Sequence, residues 1–290
     1  MNGKILIVDD EPNVLISLAA LFKEAKPQPI TASRARTALQ ILRSNTDIDV
    51  IVSDQRMPDM TGVELFKEAK EISPSTVRIL LTGYSDLNEV LNSVNSGEVY
   101  RYILKPWDAQ KLRTTVRLAC EISQRTKRLM TTMGESAPPK PVVVEKMPIM
   151  FIDNNHTHLN SFKEIFAPNY VVNISSSAES AMDVLKRSPI AAIVTELNLP
   201  DTNMVEFLTS IKARHPHTAI IVLSSIKDSN LAIQLINQVQ VFRYLVRPLR
   251  RDALENTIRT AVELYKTYTA TPGLNAKIQE EEILGLNPAL

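Results

Sequence analysis

Short, almost continuous apolar runs alternate with amphipathic stretches along this chain, and that alternation constrains the fold more than any other feature. In the first half the runs fall at residues 4–8, 50–53, 77–81 and 99–104, with a weaker one near 29–32. Strands buried on both faces read this way, as they do when helices cover both sides of a parallel sheet. Between the runs lie helical stripes. Val14, Leu15, Leu18, Leu21 and Phe22 mark the first, and Ala38, Leu39, Ile41 and Leu42 the second. Val63, Leu65, Phe66 and Ala69 mark the third, and Leu87, Val90, Leu91 and Val94 the fourth. A fifth helix starts near Asp108, a good N-cap residue, and runs through Leu112, Val116, Ala119 and Ile122 towards Met130. Its basic second half, Gln124 to Arg128, is expected to project beyond the domain. Five β-α units predict a doubly wound α/β domain.

The pattern then repeats. After a Pro-rich stretch from Gly134 to Pro141, expected to be an extended linker, strand-like runs return at 149–152, 170–174, 191–195, 219–223 and 241–246. Met57-Pro58-Asp59 recurs as Leu199-Pro200-Asp201. Arg101-Tyr102 and Lys105-Pro106 recur as Arg243-Tyr244 and Arg247-Pro248, and both matches stand 142 residues apart. One such match could arise by chance, but two at a single offset inside matching β-α patterns indicate an internal duplication. The 290 residues suffice for two separate cores. The reading is a first domain over 1–125, a helical extension and linker over 126–146, a second domain over 147–268 and a tail over 269–290.

Composition excludes several classes of function. A net charge of +1 leaves no global electrostatic footprint for nucleic acid. Cys120 is the only cysteine, which rules out an internal disulfide or a four-cysteine zinc site, and it reads as a buried, inert thiol. The apolar run Ile5–Val8 is too short for a signal-peptide core, and no stretch of about 18 apolar residues occurs. A soluble cytoplasmic protein without membrane insertion is expected. With seven glycines and neither a Gly-rich phosphate loop nor a Gly-x-Ser-x-Gly elbow, a dinucleotide enzyme or α/β hydrolase finds no support. His156, His158, His215 and His217 read as solvated loop residues.

The chemistry gathers at strand ends. Asp9 and Asp10 follow the first strand, Asp54 the third, Thr82 ends the fourth and Lys105 ends the fifth. Ligands of open parallel sheets bind outside the carboxyl ends of the strands. Clustered carboxylates repel one another unless a cation sits among them, and hard oxygen donors suit Mg²⁺. A metal there could clamp a phosphoryl group whose remaining oxygens go to Lys105 and Thr82. Any one of these residues alone would read as a helix cap or a solvated strand end; their joint placement makes the site.

The motifs Val8-Asp9-Asp10-Glu11-Pro12, Asp54-Gln55-Arg56-Met57-Pro58-Asp59-Met60-Thr61-Gly62, Leu81-Thr82-Gly83 and Tyr102-Ile103-Leu104-Lys105-Pro106 together resemble the receiver domain of two-component response regulators, over nearly all of residues 1–125. The resemblance implies a flavodoxin-like fold in each half. It implies that Asp54 takes a phosphoryl group from a sensor histidine kinase or a phosphotransfer protein. Asp10 and Asp54 would bind Mg²⁺ directly, Asp9 through water, and the backbone carbonyl of Arg56 would complete the protein ligands. Lys105 would neutralise phosphoryl oxygens, Thr82 would bond the transferred group, and Tyr102 would be the aromatic switch that turns inward with it. Lys105-Pro106 would be a cis peptide. Arg56 and Tyr84 border the expected path of attacking water and are expected to slow loss of the phosphoryl group.

The second half departs from that pattern. Asp153-Asn154 stands at the acidic pair, Glu196 at the nucleophile, Ser224 at the threonine, Arg247 at the lysine and Met204 at Gly62. One carboxylate is lost and another lengthened, which weakens a near-octahedral Mg²⁺ site. Arginine can grip a carboxylate bidentately, so a Glu196–Arg247 contact is expected to replace metal and phosphoryl group and to hold this domain in one conformation. The expected function is a phosphorylation-controlled switch, not an enzyme beyond the turnover of its own aspartyl phosphate. Its output would be a downstream protein target or a homodimer formed through the first domain. The alternative is the input region of a larger cyclic-di-GMP cyclase or phosphodiesterase.

Overall fold

The computed structural model describes residues 2–83, 99–134, 146–225 and 228–286. The chain forms two units, Met1–Ser136 together with Gln279–Leu290, and Ala137–Ile278.

In the first unit β1 (Ile5–Val8), β2 (Ile30–Ala32), β3 (Val50–Asp54), β4 (Val77–Thr82) and β5 (Arg101–Leu104) form one parallel sheet in the order β2-β1-β3-β4-β5. All four residues of β1 and all five of β3 are buried; β1 and the first three residues of β3 are apolar throughout, as strands covered on both faces require, and β3 ends in the buried polar pair Ser53 and Asp54. The order reverses at β1, which places a crevice between the carboxyl ends of β1 and β3. Register then aligns the site: Val8 lies beside Ser53, Asp54 beside Leu81, and Thr82 beside Leu104.

Helices α1 (Pro12–Leu21), α2 (Ala35–Ser44) and α3 (Gly62–Ile72) follow the first three strands. Proline opens α1, where its missing N–H costs nothing. Thr61 and Glu64 form a reciprocal capping box at the start of α3. The expected fourth helical stripe, Leu87 to Val94, and Tyr84 lie outside the described residues.

Helix α4 (Ala109–Gly134) is 26 residues long. Its basic half does not simply project, as expected from sequence. Lys127 Nζ lies 2.7 Å from Asp49 Oδ1 and donates to the carbonyls of Asp47 and Ile48 at 2.8 and 2.9 Å. Gln124 donates to Asp49 Oδ2 at 3.1 Å, and Ser123 is fully buried. Cys120 is buried on the same helix, and desolvation pushes its thiol up to about 12.

The second unit repeats the architecture. Strands β6 (Pro148–Ile152), β7 (Val171–Ser175), β8 (Ala192–Glu196), β9 (Ala219–Ser224) and β10 (Arg243–Val246) are parallel in the order β7-β6-β8-β9-β10. Around them lie α5 (His156–Phe166), α6 (Ala178–Arg187), α7 (Met204–Arg214), α8 (Ser229–Gln234) and α9 (Arg251–Ala270). Phe151 stacks on Phe162 with centroids 4.6 Å apart, and Phe166 lies 5.2 Å from Phe151. A π-helical turn, Leu235–Val239, follows α8 and ends at Gln240 in the left-handed region.

The terminal segment contains more than the expected tail. A 3-10 turn at Pro272–Leu274 leads into α10 (Ala276–Ile283). Within the first unit, Arg101 grips both Glu280 carboxylate oxygens at 2.8 and 2.6 Å. Arg125 pairs with Glu282 at 3.0 Å, and Gln279 donates to Thr126 Oγ1 at 3.1 Å. Among the described residues no helix is long and apolar enough to cross a membrane.

Candidate functional site

The carboxyl ends of β1, β3 and β5 bring Asp9, Asp54 and Lys105 together. Asp9 is fully buried and Asp54 nearly so. Lys105 Nζ lies 2.6 Å from Asp54 Oδ1 and 3.1 Å from Asp9 Oδ2, an ammonium held between two acids. Backbone N–H groups orient the carboxylates: Glu11 donates to Asp9 at 2.9 Å and Arg56 to Asp54 at 2.7 Å. Burial raises the Asp9 pKa, opposed by the Glu11 N–H and by Lys105 and reinforced by the charge of Asp54. Burial alone would depress Lys105, but the hydrogen bond and charge of Asp54, joined by those of Asp9, hold it above the ordinary lysine value.

Thr82 is fully buried at the end of β4, and its carbonyl accepts from the Lys105 N–H at 2.9 Å. Tyr102 on β5 is buried at 2% exposure. Arg56 and Asp10 have exposed side chains on the rim. Lys105-Pro106 is cis, as is Arg247-Pro248. Gly62 is required by close approach: a Cβ there would run into the backbone carbonyl oxygen of Asp54.

Among the described residues no group of three or more His, Cys, Asp or Glu side chains stands together at metal-holding spacing. Asp9 and Asp54 instead share the cationic Lys105, and Asp10 faces solvent. The donor set still suits a hard divalent cation. It consists of the Asp9 and Asp54 carboxylate oxygens, which already surround the positive charge of Lys105.

The second rim is an ion cluster. Arg247 reaches Asp153 Oδ2 at 3.2 Å and Glu196 Oε2 at 3.4 Å, so the arginine bridges two acids and not Glu196 alone. The Asn155 N–H orients Asp153 at 2.8 Å and the Leu197 N–H orients Glu196 at 2.9 Å. Ser224 and Tyr244 are fully buried; burial raises the Tyr244 pKa, and its hydrogen bond with Ser224 opposes that rise. Asn154 is exposed.

His158 is not a solvated loop residue: it sits in the first turn of α5, with Nδ1 2.9 Å from Asp153 Oδ2. Sequence reasoning missed this partner. The available signal was its position five residues after the strand-end acid, on a helix capped by Asn155. His217 lies 3.5 Å from Asn275, and burial lowers the pKa of both His215 and His217.

Comparison with known proteins agrees with this arrangement. The sequence profile of the response regulator receiver domain matches residues 5–117 and 149–259. The hydrogenase transcriptional regulatory protein HoxA of Cupriavidus necator is 41% identical over 117 residues, which cover 40% of this chain and 24% of HoxA. The regulatory protein AtoC of Escherichia coli is 32% identical over 127 residues, 44% of this chain and 27% of AtoC. The chain thus spans about a quarter of these regulators' length. Sporulation initiation phosphotransferase F of Bacillus subtilis is 32% identical over 117 residues, 40% of this chain and 93% of that protein. Among solved structures, a response regulator receiver domain protein of Clostridium thermocellum aligns with a TM-score of 0.39 and 32% identity, covering 44% of this chain and 98% of that one. Two copies of one fold, each with its rim of charged strand-end residues and each matched by the same profile, place this chain in the response regulator receiver family as a tandem-receiver protein.

Proposed function

We propose that the first receiver accepts a phosphoryl group on Asp54 from a sensor histidine kinase or phosphotransfer protein, while the second has exchanged that chemistry for a fixed ion cluster. The observation that carries this reading is the placement of Lys105 Nζ, 2.6 Å from Asp54 and 3.1 Å from Asp9, at the switch point of the sheet. As the bond from phosphorus to the donor's histidine nitrogen breaks and its electron pair returns to that nitrogen, a bond forms to an Asp54 oxygen, Lys105 balances the negative charge on the phosphoryl oxygens, and the Thr82 hydroxyl donates a hydrogen bond to one of them from the β4 side. Tyr102, adjacent on the sheet, carries the change to the face around β5. Asp9, Asp10, Asp54 and the Arg56 carbonyl would hold Mg²⁺. When bound, the cation supplies charge neutralisation and a template for the phosphoryl oxygens. Exposed Arg56, with Tyr84, slows hydrolysis of the product.

The functional division runs at 1–125 for the phospho-accepting receiver, 126–146 for the connection, 147–268 for the degenerate receiver and 269–290 for the closing segment. In the second receiver Arg247 supplies to Asp153 and Glu196 the positive charge that Mg²⁺ supplies in a competent site. The output is a protein contact, either a homodimer or a downstream target. No observation favours a cyclic-di-GMP enzyme.

The test is treatment of the intact protein with acetyl phosphate and Mg²⁺, read by intact mass, with Asp54→Asn as control. The expected result is one hydroxylamine-labile phosphoryl adduct in the wild type and none in the variant. An adduct that persists in Asp54→Asn, or a wild type that never reacts, sinks the reading. Beryllofluoride with light scattering then separates the outputs: a mass change that needs Asp54 means self-association, and a constant mass means a separate target.

A further inference from the structure

A cavity of about 630 Å³ opens on the second receiver between α5, the turn after β10 and the start of α9. Its wall is apolar, with Phe162, Ile165 and Phe166 from α5 and Leu254 from α9. Its rim is cationic: Arg247, Arg250 and Arg251 line it, and among its described lining residues none is acidic.

The two receivers differ in sequence at the turn that lines this cavity. The turn that reads Trp107-Asp108-Ala109 in the first receiver reads Leu249-Arg250-Arg251 in the second, at the 142-residue offset. Trp107 packs on the first core; the smaller Leu249 packs on the second core and also lines the cavity. The same exchange turns the charge around. Asp108 caps α4 by accepting from the Lys111 N–H at 2.7 Å, while Arg250 at the start of α9 provides no side-chain cap. Two arginines at the positive end of a helix dipole are unfavourable in the free domain, and a bound anion relieves that repulsion. Arg250 and Arg251 pair with Asp252 and Glu255, each at 2.7 Å, but these pairs are solvent-exposed and exchange at little cost. Arg247 Nε is buried and makes no hydrogen bond among the described residues.

We propose that this cavity is a ligand site for a small anionic amphiphile: a carboxylate whose head lies among the three arginines and whose aliphatic or aromatic body lies on Phe162, Ile165 and Leu254. The volume falls in the range of small-molecule sites, about 300–1,000 Å³. The apolar wall disfavours inorganic phosphate, and the arginine rim disfavours a neutral lipid. Since Arg247 also holds Asp153 and Glu196, an anion drawn to its guanidinium acts directly on the ion cluster of the second rim. The second receiver thereby gains a chemical input in place of the phosphoryl group.

The test uses the full chain and decanoate as the probe, measured by displacement of the fluorescent anion 1-anilinonaphthalene-8-sulfonate, with decanol and inorganic phosphate as comparators. The expected result is saturable displacement by decanoate, with both comparators weaker by at least about tenfold. Leu249→Trp, which copies the first receiver, should abolish it. The double variant Arg250→Asp with Arg251→Ala should weaken it by at least about tenfold while its circular dichroism stays unchanged. The proposal is overturned if decanol binds as well as decanoate, or if both the cavity and the rim variants leave binding intact. It is equally overturned if decanoate fails and only an acidic peptide displaces the dye, which would make the cavity a protein-docking groove.

Discussion

Two lysines, one in each receiver, the first partly shielded from water and the second buried, show how differently the same ammonium can be accommodated. Lys105 lies against Asp54 and Asp9, which outweigh the penalty of its burial. Lys105→Met would leave those acids without a counter-charge, and we expect a loss of about 1–3 kcal/mol of stability. Urea unfolding should show this deficit shrinking as MgCl₂ is added, because a divalent cation can take over the neutralisation. Lys212 has carbonyl partners instead. It is buried on α7 and donates to the Thr218 carbonyl at 2.7 Å, with no carboxylate bonded to it among the described residues. Burial, aided by the charge of Lys277, lowers its pKa to about 8. The unfolded chain keeps this proton up to about pH 10.4, so between the two values the unfolded state binds more protons and stability rises with pH. Relative to wild type, Lys212→Met should lack that gain from pH 8 to 10; an identical pH slope in thermal melts of both proteins would contradict the assignment.

Among the elements, α4 departs most from its sequence reading. Its first half carries the ordinary apolar stripe, with Leu112, Val116 and Ala119 in the core. Its second half is polar, and a polar helix suggests solvent on every side. The missing information was Asp49, buried at the start of β3, which collects Lys127, Gln124 and the backbone N–H of Lys4. That carboxylate clamps the helix to the foot of the sheet. Asp49→Ala should cost about 2–4 kcal/mol, since it strands partly buried donors as well as a charge. Hydrogen exchange should show lost protection concentrated around residues 120–128. The strands, by contrast, were legible almost residue by residue, because a parallel sheet covered on both faces needs unbroken apolar runs. Helix α10 was not legible: eight residues after Pro-Gly, with three consecutive glutamates, carry no stripe strong enough to predict order.

In the molecule as a whole, the C-terminal residues from Gln279 belong with the first receiver, far from it in sequence. Arg101 and Glu280, 179 residues apart, are joined through one guanidinium nitrogen that donates to both carboxylate oxygens, with both side chains largely shielded from water. Glu280→Gln should therefore lower the unfolding free energy of the first receiver by about 1–2 kcal/mol, and by less at high salt. Chemical denaturation followed at about 0.05 M and about 1 M NaCl checks the direction. The sequence alone determined that the chain holds two α/β repeats, that both sheets are parallel, and that Asp9, Asp54, Thr82 and Lys105 share one edge of the first sheet, as their counterparts do in the second. Hydrophobic periodicity is local, and strand ends inherit their place from topology, so both can be read along the chain. Only the tertiary structure decided that Lys105 stands between Asp9 and Asp54, that Arg247 takes Asp153 as well as Glu196, that His158 joins them, and that the acidic terminus meets Arg101. Long polar side chains choose partners across the fold by charge and reach, and no local pattern records that choice.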